Sequence, residues 1–197
     1  VTSKMLDNNI GYVAVYEFEE TTSEQFNQAI DALTAQGMKG LIIDLRDNPG
    51  GLVNSATAIL DRILKKDQLL VYTVDKNGKK QEEYTEDDET INVPISVLIN
   101  GNSASASEIV SGCLQDYGKA KLVGTTSFGK GIVQYVLPLG DGSAIKLTSA
   151  KYYTPNGRNI HGTGIDPDVE VELNSDSETD TQLEKAQEIV LQEIQAE

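Results

Sequence analysis

The chain reads as an α/β fold with a central, mostly parallel sheet flanked by helices, and three observations predict it. Two short continuous apolar runs, Gly40-Leu41-Ile42-Ile43-Asp44-Leu45 and Ile95-Ser96-Val97-Leu98-Ile99, have the composition of strands buried on both faces. Segments of helical period alternate with such strands along the chain. Both apolar runs end in turns of small residues, and in parallel sheets functional groups collect at the carboxyl ends of strands.

Each element has a local reason. Ile10 to Tyr16 is rich in valine and tyrosine and reads as a strand. Thr22 or Ser23 can cap a helix running to about Gly37, with Phe26, Ala29, Ile30 and Leu33 on one face. Gly40 to Leu45 is the first buried strand, ended by the Asp47-Asn48-Pro49-Gly50-Gly51 turn. A helix follows from Asn54 or Ser55 to about Leu64. Leu69 to Val74 and Gln81 to Thr85 form a hairpin around Asn77-Gly78, and Glu86 to Glu89 is an acidic loop. Ile95 to Ile99 is the second buried strand, and Ala104 to Tyr117 a helix. Leu122 to Gly124, Ile132 to Leu137, Ala144 to Thr148 and Tyr152-Tyr153 are short strands. Leu173 to Thr181 is polar, and Leu183, Ala186, Ile189, Val190 and Ile194 mark an amphipathic helix at the end. No internal repeat is evident. The expected organisation is a core over residues 1–173, with a polar connection and that helix over 174–197, packed on or beside the core.

The 197 residues suffice for one domain with a real core. No apolar run approaches the ~18 residues that a membrane span needs, and no secretory signal is present. A net charge of −15 repels phosphate and disfavours nucleic acid as a partner. The single cysteine, Cys113, excludes an internal disulfide and reads as core packing. With one histidine and one cysteine there is no metal-ligand cluster, and no cofactor is expected.

Two segments carry the chemistry. Gly101-Asn102-Ser103-Ala104-Ser105-Ala106-Ser107-Glu108 places hydroxyls at a strand-to-helix turn. Phe128-Gly129-Lys130-Gly131-Ile132-Val133-Gln134 places a lysine between two glycines. A serine beside a desolvated lysine is a complete nucleophile and base. Ser105 with Glu108 also fits a capping box, a role compatible with nucleophilicity because a helix start favours a developing oxyanion. The Ala106 N–H is placed to serve that oxyanion. Local chemistry leaves Ser103, Ser105 and Ser107 as competing nucleophiles. A lysine acting as base near neutrality needs its pKa lowered by roughly three units, about 4 kcal/mol. No acidic residue lies within four positions of Lys130 to oppose that. On a strand, Gln134 shares a face with Lys130, and its neutral amide can orient the amine without adding charge. Gly50 and Gly51 read as a plain turn, or as a turn whose N–H faces a carbonyl oxygen that a side chain would block.

Other chemistries fit less well. His161, the only histidine, lies in a turn-rich segment and reads as solvated. Gly124-Thr125-Thr126-Ser127-Phe128-Gly129-Lys130-Gly131 nearly matches a phosphate-binding loop, but Gly131 replaces the required Ser or Thr and a strand follows.

Taken with Leu45-Arg46-Asp47-Asn48-Pro49-Gly50-Gly51 upstream, the Ser-Ala-Ser-Glu run and the Phe-Gly-Lys-Gly run closely resemble the carboxyl-terminal processing peptidases, or tail-specific proteases. The resemblance extends from Ser3-Lys4-Met5-Leu6 through Tyr152-Tyr153-Thr154-Pro155-Asn156-Gly157-Arg158 to Gly162-Thr163-Gly164-Ile165-Asp166-Pro167-Asp168. It implies a ClpP/crotonase-like core and a serine endopeptidase that cleaves near the carboxyl termini of protein substrates. It aligns the nucleophile on Ser105, the base on Lys130 and the orienting glutamine on Gln134. The oxyanion donors align on the Gly50 and Gly51 turn with Ala106. It further implies a PDZ domain upstream of Val1 and action outside the cytoplasm, as a secreted or membrane-anchored bacterial protein, with homo-oligomerisation open. The alternative is a catalytically silent module that holds a peptide in the same cleft.

Overall fold

In the computed structural model, residues 1–173 and 179–196 are described. The elements in chain order are β1 (Thr2–Leu6), β2 (Ile10–Ala14), α1 (Thr22–Ala35), β3 (Gly40–Asp44), α2 (Val53–Ile63), β4 (Leu69–Asp75) and β5 (Lys80–Tyr84). Then come β6 (Ile95–Ile99), α3 (Ala106–Asp116), β7 (Lys121–Gly124), β8 (Ile132–Pro138), β9 (Ala144–Tyr153), β10 (Val169–Glu170) and α4 (Thr181–Ala196).

The central sheet has six strands in the order β1-β2-β3-β6-β7-β10. All neighbours are parallel except β1 and β2, which run antiparallel. The continuous apolar run in β3 follows from burial on both faces. Leu41 and Ile43 join the main core with α1, α2 and α3 residues, while Ile42 points to the other face. There Ile10, Ile42, Leu98 and Val123 meet Ala186 and Val190 of α4. Arg46 pins the start of α4, donating to Asp180 at 2.9 and 2.8 Å while pairing with Asp44 at 2.6 Å.

A second, four-stranded sheet in the order β5-β4-β9-β8 is antiparallel throughout. The hairpin expected at Asn77-Gly78 is its β4–β5 pair. The strands expected at Ala144–Thr148 and Tyr152-Tyr153 are one strand, β9. It stays continuous through a register irregularity opposite Val133 and Gln134, and it pairs β8 on one side and β4 on the other. Two strands escaped the sequence reading. β1 is short and polar, and β10 has two residues; both gain their order from a neighbour at a sheet edge. The third helix begins at Ala106 instead of Ala104, because the chain turns sharply at Ser105. Of the connection expected before the last helix, residues 174–178 lie outside the described residues.

Candidate active site

Three turns converge at the carboxyl ends of β3, β6 and β7. The turn after β3 is stapled to the one after β6. The Asp47 carboxylate accepts from the Asn100 and Asn102 amides at 3.0 and 2.7 Å, which hold it below the usual carboxylate range. The Asn48 carbonyl accepts the Ala104 N–H at 3.0 Å and the Ser107 hydroxyl at 3.0 Å. The Asn48 side chain, fully buried, donates to the Val15 carbonyl at 2.7 Å and accepts the Gly50 N–H at 2.9 Å. Gly50 and Gly51 take φ of 102° and 137°, values that favour glycine. A Cβ on Gly50 would lie 2.8 Å from the Ser105 Cβ and 3.0 Å from the Ala106 nitrogen, and one on Gly51 would collide with the Phe18 backbone. Gly50 therefore lets the two turns touch, and Gly51 lets its turn lie against the Phe18 backbone.

The three candidate serines separate here. Ser103 is buried and donates to the Leu45 carbonyl at 2.7 Å; Ser107 is buried and donates to Asn48. Both hydroxyls hold turns together. Ser105 is half-buried, and among the described residues its hydroxyl donates to no such carbonyl. Its backbone sits at φ 55°, ψ −111°, sparsely populated for a residue with a side chain. A nucleophilic serine on a sharp strand-to-helix turn has this kind of strain. The expected capping box with Glu108 is present. Ala106 occupies the first turn of α3, where N–H groups lack intrahelical partners, and among the described residues no backbone hydrogen bond engages its N–H or that of Gly51.

The third turn brings Lys130. Phe128 N–H donates to the Ser103 carbonyl at 3.0 Å. Gly129 and Gly131 lie against the backbone of residues 160–164, with a Cβ on Gly131 falling 2.7 Å from the His161 nitrogen. Lys130 is half-buried. Among the described residues its Nζ makes no hydrogen bond or ion pair, so the expected contacts with Ser105 and Gln134 are not formed in this arrangement. Gln134 Nε2 donates instead to Thr148 Oγ1 at 3.3 Å. Beyond the Phe128–Ser103 bond, Glu108 joins the lysine turn to the serine turn. Its buried carboxylate accepts the N–H groups of both Ser105 and Lys130 at 2.8 Å. Sequence reading assigned Glu108 its capping role from the Ser-x-x-Glu spacing. It missed the second role, because the Lys130 turn has no local signal for a carboxylate arriving from α3.

The remaining candidates stand apart. His161 is exposed and contributes its backbone N–H to Asn159. Cys113 is buried, and burial, reinforced by Asp116, pushes its thiol well above the usual range, away from nucleophilic thiolate. Strand β8, not a helix, follows Gly131, so the phosphate-loop geometry is missing. Beside the site, a cavity of about 340 Å³ opens between Val53, just past Gly51, and Val133, next to Gln134, with Val71, Tyr72 and Tyr152 on its wall.

Comparison with known proteins places this geometry in context. Residues 9–171 match the model of Peptidase family S41. The chain is 44% identical to a carboxy-terminal-processing protease of Bartonella bacilliformis over 85% of its own length and 40% of that protein. It is 42% identical to carboxy-terminal processing protease CtpB of Bacillus subtilis over 85% of its length and 35% of that protein. Among solved structures, a photosystem II D1 C-terminal processing protease superposes with a TM-score of 0.78 at 32% identity, covering 92% of this chain and 46% of that one. The chain thus spans less than half the length of each of these relatives.

Proposed function

This chain belongs to peptidase family S41, and on that premise we propose that it is the core of a serine endopeptidase that cleaves proteins near their carboxyl termini with a Ser105–Lys130 dyad. The observation that carries the reading is the separation of the three serines. Ser103 and Ser107 spend their hydroxyls on backbone carbonyls, while Ser105 sits strained at the helix start.

In this reaction Ser105 Oγ attacks the scissile carbonyl carbon, and the Lys130 amine takes the hydroxyl proton. The tetrahedral oxyanion is held by backbone N–H groups. Gly50 N–H is already given to Asn48, which favours Gly51 and Ala106 as the donors. Lys130 then passes its proton to the leaving amine, and water hydrolyses the acyl-enzyme. Gln134 lies on β8, the strand that follows the lysine turn, and orients the lysine by a neutral amide. Proteins or peptides are the substrates, as the likeness to carboxy-terminal processing proteases supports. The same reading includes a PDZ domain and an extracytoplasmic site of action for the full-length protein. A complete gene encoding neither a PDZ domain nor an export signal would remove that part.

A second reading has one observation in its favour. With no hydrogen bond from Lys130 Nζ to Ser105 Oγ among the described residues, a silent peptide-binding module would look the same. Turnover separates the two. The wild type should hydrolyse an unstructured peptide and form a covalent adduct with a fluorophosphonate, and Ser105→Ala should do neither. A folded wild type that binds peptide yet never labels would support the silent module.

A further inference from the structure

We propose that Glu108 is a positioning residue that sets the spacing of nucleophile and base by holding both of their backbones on one carboxylate oxygen; the proposal rests on the Ser105–Lys130 reading above. Glu108 lies in the first turn of α3 and is fully buried. Among the described residues no lysine or arginine side chain pairs with it. A buried carboxylate is costly unless hydrogen bonds compensate it, and here four donors do. Oε2 accepts the Ser105 and Lys130 N–H groups, both at 2.8 Å. Oε1 accepts the Gly129 N–H at 2.7 Å and the Ser127 hydroxyl at 2.6 Å. Capping α3 requires only the first of these.

The other three donors come from the turn between β7 and β8, which otherwise meets the serine turn through the Phe128 N–H on the Ser103 carbonyl. The two amide nitrogens on Oε2 lie within two hydrogen-bond lengths of each other. That contact fixes the origin of the Lys130 side chain relative to Ser105. It also holds the Ser105 N–H in the orientation that its strained φ demands. The Lys130 side chain is then the part left to move into contact with Ser105. Proximity catalysis is steep in this coordinate, since a displacement of about 1 Å can cost about 100-fold in rate.

The donor pattern makes a specific forecast for substitutions. At the Oε1 position one donor is a hydroxyl, which can rotate and accept instead, although Ser127 Oγ also accepts the Ile165 N–H at 2.7 Å. At the Oε2 position both donors are backbone N–H groups and cannot reverse. Glu108→Gln should therefore place its oxygen at Oε2 and its NH2 at Oε1, keeping the Ser105–Lys130 tie and losing only Gly129. Glu108→Asp keeps the charge but is one methylene short and cannot span both turns. Glu108→Leu fills the volume and leaves the N–H groups unpaired.

The test introduces these three variants into the full-length enzyme and measures kcat, KM, melting temperature and the rate of fluorophosphonate labelling at Ser105. The expected order in kcat and labelling is wild type, then Gln within about tenfold, then Asp and Leu lower by about 100-fold or more, with KM changing little. A merely structural role would instead track melting temperature, and a purely electrostatic one would put Asp above Gln. Either pattern, or a Leu variant with wild-type kcat, overturns the proposal. If Leu does not fold, the order of Gln and Asp still decides it. A wild type that neither cleaves nor labels would instead defeat the underlying protease reading, and the proposal with it.

Discussion

Ser105 is where local strain and proposed chemistry coincide. A non-glycine residue at φ 55°, ψ −111° costs on the order of 1–3 kcal/mol. Glycine meets no such penalty, so Ser105→Gly should raise the melting temperature by roughly 3 °C, about 1 kcal/mol for a domain of this size. The same change should abolish hydrolysis. Calorimetry on the two proteins checks this, and a lower melting temperature for the variant would show that the turn is not strained. At Lys130, substitution by arginine keeps charge and length but leaves a group that stays protonated at any usable pH. Lys130→Arg should therefore lose at least about 100-fold in kcat/KM. Near wild-type turnover by this variant on an unstructured peptide would exclude Lys130 as the base. Much of this site was legible in sequence, because the Ser-x-x-Glu cap, the glycine-flanked lysine and the Gly50-Gly51 pair are local patterns with local causes. The choice among three serines was not legible from local chemistry. It depends on which hydroxyls meet the carbonyls of Leu45 and Asn48, contacts made between segments far apart in the chain.

The elements divide the work between two sheets. The parallel sheet presents the Gly51 and Ser105 turns, while β8 of the antiparallel sheet follows directly from Lys130. The parallel sheet was readable because its strands are buried on both faces and hence continuously apolar. β1 and β10 were not, since pairing at a sheet edge orders them more than their own composition does. α4 is held on by the packing of Ala186 and Val190 against the sheet and by one ion-paired cluster at its start. Burial alone would raise the Asp180 carboxyl, but hydrogen bonds from Arg46 and from the Leu183 and Gln182 N–H groups outweigh it and hold the group below the usual carboxylate range. A carboxyl depressed in the folded state adds stability above its ordinary range, and that stability is lost as pH falls through the lowered value. Arg46→Met leaves the buried Asp44 without its guanidinium and should cost about 3 kcal/mol at neutral pH. That is a drop of roughly 6–12 °C in melting temperature. The gap between wild type and variant should close as pH falls below the carboxylate range. A gap independent of pH would mean that Arg46 acts by packing alone.

At the scale of the whole molecule, the chain carries a net charge of −15. The field of such a charge raises the encounter rate of cationic peptides and is screened by salt. For two peptides that differ only in charge, kcat/KM should favour the basic one at 50 mM salt, and the preference should shrink severalfold at 500 mM; equal values at both would show that the field does not reach the site. The family, too, is a property of the whole chain, because the match to Peptidase family S41 extends over residues 9–171 and so takes in all three turns. The central claim is narrower, that one serine among the three in this turn is the nucleophile. It is tested most directly by treating the full-length protein with a fluorophosphonate and locating the adduct by peptide mass spectrometry. The account predicts a single adduct on Ser105, absent in Ser105→Ala and formed far more slowly in Lys130→Arg. An adduct on Ser103 or Ser107, or undiminished labelling of Ser105→Ala, would contradict it.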